Sequence, residues 1–200
     1  FSGVSVYHAY WEDRRICVAL KVSYYDNERK RFAKREINVL QYFSIIPINE
    51  RDRIINMIGS QIINEKIINE NGQESIIQFM YIALELEGQN LNSYFDKRSK
   101  KRGVNIKELL IKIARGAALS IKQFHKHGIH LDIKATNFVV SLKQNNLKKE
   151  IILKLIDFNT SAIAANQGIE SKVHGFKKFK APEIRSKDPE QKFNVNICII

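Results

Sequence analysis

Two short strings concentrate the reactive side chains of this chain. His130-Leu131-Asp132-Ile133-Lys134-Ala135-Thr136-Asn137 brings a carboxylate, an ammonium group and an amide close together, and Leu155-Ile156-Asp157-Phe158-Asn159 adds a second carboxylate downstream. Phosphoryl transfer asks for such a set: a carboxylate beside the accepting hydroxyl, a cation on the moving phosphate, and hard oxygen ligands for magnesium. A lone Asp or Lys in a loop is usually structural or solvated, which does not explain several at once. Asp157 follows the apolar run Ile151 to Ile156, so a strand end would put it at the mouth of a cleft. Glu36 is odd in another way. It shares a helical face with Phe32, Leu40 and Phe43, and a charge on a buried face is costly unless paired.

The elements that must position these groups follow from the hydrophobic pattern. Residues 4 to 25 alternate and are rich in Val, Tyr and Ile, with Glu12-Asp13-Arg14-Arg15 as a polar turn, which predicts a β-hairpin ending in Val18-Ala19-Leu20-Lys21. Asp26 or Asn27 is placed to cap the helix that carries Glu36. Asn71-Gly72 reads as a hairpin tip and Phe79 to Leu86 as an apolar strand. Beyond Gly88 the pattern turns helical. Leu110, Ile113, Ala114, Ala117, Ile121 and Phe124 make a stripe, with Gly128 as its C-terminal stop. Phe138 to Val140 and Ile151 to Ile156 then read as a pair of short strands around Asn145-Asn146. The outcome is an α+β chain: a strand-rich lobe over residues 1–84, a hinge over 85–90, and a mainly helical lobe over 91–200, with a cleft at the junction.

The two strings resemble the catalytic loop and the Asp-Phe-Gly segment of eukaryotic protein kinases. Val18-Ala19-Leu20-Lys21 is similar to that family's Val-Ala-Ile-Lys strand, and Ala181-Pro182-Glu183 to its Ala-Pro-Glu signature. The resemblance spans nearly the whole chain. It implies a bilobal kinase fold, cut short at both ends, that binds ATP and Mg2+ and acts on protein Ser/Thr hydroxyls, with Tyr as a further acceptor. It assigns Asp132 to accept or orient the hydroxyl proton and Lys134 to the γ-phosphate. Asn137 and Asp157 become the magnesium ligands, and Lys21 the holder of the α- and β-phosphates with Glu36 as its partner. Val6, Ala19 and Val139 would sandwich the adenine, with Leu84 as gatekeeper and the backbone of Glu85 and Glu87 as the hinge contact. His130 would form a column with Phe158 and Leu40. The segment from Asp157 to Glu183 would be the activation loop, with Thr160, Ser161 and Ser171 as candidate phosphosites.

Within the family, Glu85 to Tyr94 and His127 to Asp132 resemble the monopolar-spindle dual-specificity kinases, and Tyr81 to Leu86 the stress-sensor kinases of the unfolded protein response. Some positions depart from the family pattern. Only Phe1 to Tyr7 stands for the glycine-rich loop. Leu131 replaces the Arg that usually receives a phosphorylated loop. Asn159 replaces Gly, Phe176 stands where a Thr is usual, and Cys198 falls where an anchoring Asp belongs. These departures motivate an alternative reading as a pseudokinase, a nucleotide-binding or scaffold module without turnover.

Composition narrows the classes. With 44% apolar residues the chain can bury a core. Its 33 Lys and Arg against 21 Asp and Glu give a net charge of +12, but the basic residues are spread along the chain without interleaved aromatics, so nucleic acid is not an expected partner. The two cysteines, Cys17 and Cys198, lie in apolar stretches. They are expected as core thiols of a reducing intracellular compartment, cytoplasmic or nuclear. No run approaches the roughly 18 apolar residues of a membrane span. His125, His127 and His130 lie close together, but with no zinc-type ligand spacing around them.

Overall fold

The computed structural model describes residues 3–68, 71–144 and 150–164. Strand β1 (Val4–Trp11) turns through a short 3-10 stretch at Glu12–Arg14 into β2 (Ile16–Tyr24). Arg15 takes a left-handed φ of 52° to close the turn and donates its amide to Glu12 O at 3.0 Å. The predicted hairpin is therefore present, with Val6 opposite Lys21 and His8 opposite Ala19. Strands β3 (Met57–Ile68) and β4 (Glu74–Glu85) form a longer hairpin whose tip includes Gly72 at φ 76°. The sheet order is β1-β2-β4-β3, antiparallel throughout, and the strand expected from Phe79 in fact starts five residues earlier.

Helix α1 (Lys30–Ser44) follows β2. Asp26 Oδ1 accepts the amides of Glu28 and Arg29 at 3.1 and 2.8 Å, and its carbonyl accepts Lys30 N at 2.8 Å, so Asp26 organises the turn that starts the helix. The buried face is Ala33, Glu36, Val39, Leu40 and Phe43; Phe32, expected on it, lies only half-buried at its edge. A four-residue helix, α2 (Ile48–Arg51), follows Pro47.

The second lobe begins with α3 (Leu91–Ser99) and α4 (Ile106–His125). Each is capped by an Asn that the sequence reading did not single out: Asn90 Oδ1 accepts Ser93 N at 3.0 Å and Asn105 Oδ1 accepts Glu108 N at 3.2 Å. The buried residues of α4 are Leu109, Gly116, Ser120 and Phe124, with Ile113, Ala117 and Ile121 partly buried, whereas Leu110 and Ala114 face outward. This shift of the stripe's edge has a local cause. A Cβ on Gly116 would come within 2.0 Å of Ile151 O, and Ser120 Oγ donates to Leu153 O at 2.8 Å, so a glycine and a small hydrogen-bonding serine face the incoming strand.

The strands β6 (Phe138–Val140) and β7 (Leu153–Leu155) pair antiparallel as expected. Gly128 is not the helix stop. It lies in β5 (Gly128–Ile129), paired with β8 (Ala162–Ile163), where a Cβ would come within 2.1 Å of Ala162 O. Cys17, expected in the core, is exposed: it lies opposite the exposed Tyr10, while its neighbour Val18 takes the inner face. Cys198, the Ala-Pro-Glu string, Phe176, Ser171 and Asn145-Asn146 lie outside the described residues. Backbone hydrogen bonds are among the ties between the lobes. Leu155 N donates to Arg53 O at 2.8 Å and Ile55 N to Leu155 O at 3.1 Å, while Gly88 N donates to Val140 O at 2.9 Å.

Candidate active site

The inner face of the first sheet and the loops before β6 and after β7 enclose a cleft of about 570 Å3. Its lining includes Val6, Ala19 and Lys21 from the sheet, Leu84 to Gly88 from the lobe junction, and Asn137, Val139 and Asp157 from the second lobe. Antiparallel register accounts for the sheet side: Val6 opposes Lys21 and Ala19 opposes Leu84, so period-two alternation turns them to one face.

Lys21 is the junction of the charged groups. Its Nζ donates to both Glu36 oxygens at 2.7 and 2.8 Å and to Asp157 Oδ1 at 3.0 Å. Burial by itself would push this ammonium group down, but Glu36 and Asp157 more than offset that and hold it above the ordinary lysine range. Lys21 is therefore charged at any physiological pH. The Glu36 carboxyl is pushed up by burial and held back by Lys21. The predicted Lys21–Glu36 partnership is present, and Asp157 joins it from the other lobe. Asp157 sits at φ 67°, a left-handed conformation that aims its carboxylate back into the cleft, whereas Asn159 needs no such conformation and its replacement of Gly carries no backbone strain.

The catalytic-loop string gathers round Asp132. Lys134 Nζ donates to Asp132 Oδ2 at 2.7 Å, and Asn137 Nδ2 donates to Asp132 O at 2.8 Å and Oδ2 at 3.0 Å. Leu131 takes φ 64° to make the bend. His130 is fully buried and braces the loop from below: its Nε2 donates to Ile156 O at 3.0 Å and its Nδ1 accepts Asp132 N at 3.3 Å. Burial lowers its pKa to about 4, which keeps the ring neutral and fits one tautomer with a donor and an acceptor. Its ring contacts Phe158 at 5.4 Å and Phe124 at 5.7 Å, and Phe124 stacks on Phe158 at 5.3 Å and reaches Phe43 at 5.2 Å. The expected pairing of His130 with Phe158 is present and acquires Phe124, whose place in the α4 stripe was legible but whose aromatic contacts were not, while Leu40 is buried in the same core.

One expectation changes on the structure. Thr160 and Ser161 are buried and both donate to His130 O, at 3.2 and 3.0 Å, so neither hydroxyl is presented for phosphorylation. The stretch standing for the glycine-rich loop is strand from Val4 onward, in line with its alternating pattern. Glu85 and Glu87 line the cleft, but their side chains meet Lys154, a residue the sequence reading passed over; a lysine inside a short buried strand was the available signal. For a divalent cation the donor chemistry fits. Asn137 and Asp157 line one cleft, and because the Asn137 amide nitrogen is taken by Asp132, its carbonyl oxygen is the end left to act as a hard ligand beside the Asp157 carboxylate. No group of three or more metal-ligating side chains occurs among the described residues, and His127 Nδ1 instead meets Tyr42 Oη at 3.1 Å.

A sheet over a cleft, with a lysine bound to two carboxylates on one side and an Asp-Lys-Asn loop on the other, defines a nucleotide-dependent phosphotransferase architecture. The chain belongs to the protein kinase domain family, whose model matches residues 2–196. The match is to the superfamily as a whole, so the α+β kinase architecture holds, while the monopolar-spindle and stress-sensor likenesses remain resemblances of short strings. A comparison with curated proteins finds no match.

Proposed function

We propose that this domain transfers the γ-phosphate of ATP to Ser/Thr hydroxyls of a protein substrate, with Tyr as a further acceptor. The observation that carries the reading is Lys21 bonded at once to Glu36 and Asp157 across the cleft. That contact sets the phosphate-binding cation beside the Asp-Phe segment. Val6 and Ala19 would pack on one side of the adenine and Val139 on the other. Leu84 would limit the depth of the pocket, and the backbone of Glu85 and Glu87 would meet the purine edge. Lys21 would hold the α- and β-phosphates, its charge fixed by Glu36. Asp132 uses Oδ2 for Lys134 and Asn137, which offers Oδ1 to orient the accepting hydroxyl and take its proton. Lys134, hydrogen-bonded to that carboxylate, would shift to the γ-phosphate as the nucleotide enters, and its presence at this position supports a Ser/Thr acceptor. Magnesium held by Asn137 and Asp157 would neutralise charge on the phosphate oxygens.

Magnesium-dependent ATP turnover by the complete protein tests the reading. Asp132→Asn should lower turnover by at least about 100-fold, since it removes the base while keeping the shape. Wild-type turnover no higher than that of the variant overturns the proposal. The second reading, a pseudokinase, is favoured by one observation: Leu131 stands in the Asp132 loop where the family pattern carries Arg. Nucleotide-dependent thermal stabilisation without turnover would support it, and turnover eliminates it.

A further inference from the structure

Strand β7 is three residues long and buried along its length, yet its central residue is Lys154. An ammonium group at 8% exposure requires carboxylate partners, and it finds two. Lys154 Nζ lies 2.6 Å from Glu85 Oε1 and 2.8 Å from Glu87 Oε1. Each carboxylate is held a second time, Glu85 Oε1 by Asn56 N at 2.7 Å and Glu87 Oε2 by Leu142 N at 2.7 Å. Both acidic side chains of the lobe junction are thereby turned onto Lys154, and the backbone between them is fixed at either end. Three residues beyond Lys154 the same chain segment delivers Asp157, bonded to Lys21 at 3.0 Å. A single segment therefore braces the two ends of the cleft.

We propose that Lys154 is a positioning residue for the nucleotide: its ammonium group, clamped between Glu85 and Glu87, sets the junction backbone relative to the Asp157 end of the cleft. The inference rests on the nucleotide-binding reading above. Without Lys154, two carboxylates that now converge on one cation would face each other in a poorly solvated space. They would separate and carry the backbone of residues 85–87 with them. The groups around Asp132 are untouched by that movement, so the loss falls on nucleotide affinity and not on the transfer step.

The test is titration of the complete protein with a fluorescent ATP analogue and magnesium, alongside steady-state kinetics. Lys154→Met should raise both the dissociation constant and the KM for ATP by about tenfold, while kcat changes by less than about threefold. Adding Glu85→Gln to that variant removes one of the two repelling charges and should recover most of the lost affinity, a rescue that general loss of packing would not show. If Lys154→Met fails to fold, Glu85→Gln alone is read in its place. It cuts one strut and leaves Lys154 balanced by Glu87, so weakening of about threefold supports the role and wild-type affinity overturns it. A folded Lys154→Met that binds as tightly as wild type, or that loses kcat with KM unchanged, overturns the role of Lys154 alone. A wild-type protein that binds no nucleotide overturns the underlying reading and this inference with it.

Discussion

Lys21 and Glu36 separate structure from chemistry at a single contact. Glu36 is 4% exposed, so removing its cation leaves a buried carboxylate without a partner, a change that costs about 3–5 kcal/mol where the remaining group stays charged. Glu36 can escape part of that by taking up a proton, and burial already pushes it in that direction. Lys21→Met is therefore expected to lower unfolding stability by about 3 kcal/mol, read by urea denaturation at neutral pH. Lys21→Met with Glu36→Met should recover most of that stability, because two apolar side chains replace the pair, yet ATP turnover should stay at background. Recovery of turnover in the double variant would remove Lys21 from the catalytic set. While the kinase resemblance named Lys21 as the partner of Glu36, the same desolvation argument made the need for a partner legible from sequence. It applied equally to Lys154 and was not used there, because Ile151 to Ile156 was read as one apolar run. Cys17 differs from its expected place for the opposite reason: apolar neighbours do not prove burial in a two-faced strand, where buried positions alternate with exposed ones. The Thr160 and Ser161 hydroxyls could not be placed from sequence, since their acceptor is the carbonyl of His130, some thirty residues away.

At the scale of elements, the period of α4 was legible and so was most of its stripe, since Ile113, Ala117, Ile121 and Phe124 pack inward, whereas the edge at Leu110 and Ala114 was not. Leu109 and Leu110 are equally apolar, and what selects Leu109 is the strand behind the helix, which admits only Gly116 and Ser120 at its closest approach. Gly116→Ala tests that approach. On helix propensity alone the change should stabilise by about 1 kcal/mol. A methyl group whose carbon lies 2.0 Å from Ile151 O cannot be accommodated without moving backbone, and overpacking of this kind typically costs about 1–3 kcal/mol, occasionally more. The obstructing atom is main chain, so the strain should win, with a net loss of about 2 kcal/mol and a lowered thermal midpoint. An Ala variant as stable as wild type would mean that α4 and the Ile151 segment separate easily. The β3–β4 hairpin was legible at its tip, through Asn71-Gly72, but not in its length, because the stretch before Phe79 mixes polar and apolar residues without a clean alternation.

The whole molecule was the most readable level. A strand-rich half, a junction and a helical half follow from where the hydrophobic period changes, and the reactive residues fall on both sides of that change. What joins the halves was less visible, because it depends on aromatic stacking and backbone pairing between distant segments. Phe43 of α1 meets Phe124 of α4, which stacks on Phe158 beside His130. This arrangement gives the domain a pH dependence with a defined sign. His130 has a pKa of about 4 in the folded protein, lowered by burial, against about 6.5 in the unfolded chain. Between those values the unfolded state binds a proton that the folded state does not, so stability falls as pH drops through about 6.5 and levels off below about 4. From pH 7 to pH 4.5 the loss from this group should be about 2.5 kcal/mol. Urea unfolding at the two pH values measures it, with His130→Asn as the comparison. The variant loses the buried imidazole, so it should start less stable at pH 7 but show a shallower decline on acidification. Parallel declines in the two proteins would assign the acid sensitivity to other groups and leave His130 as a packing residue alone.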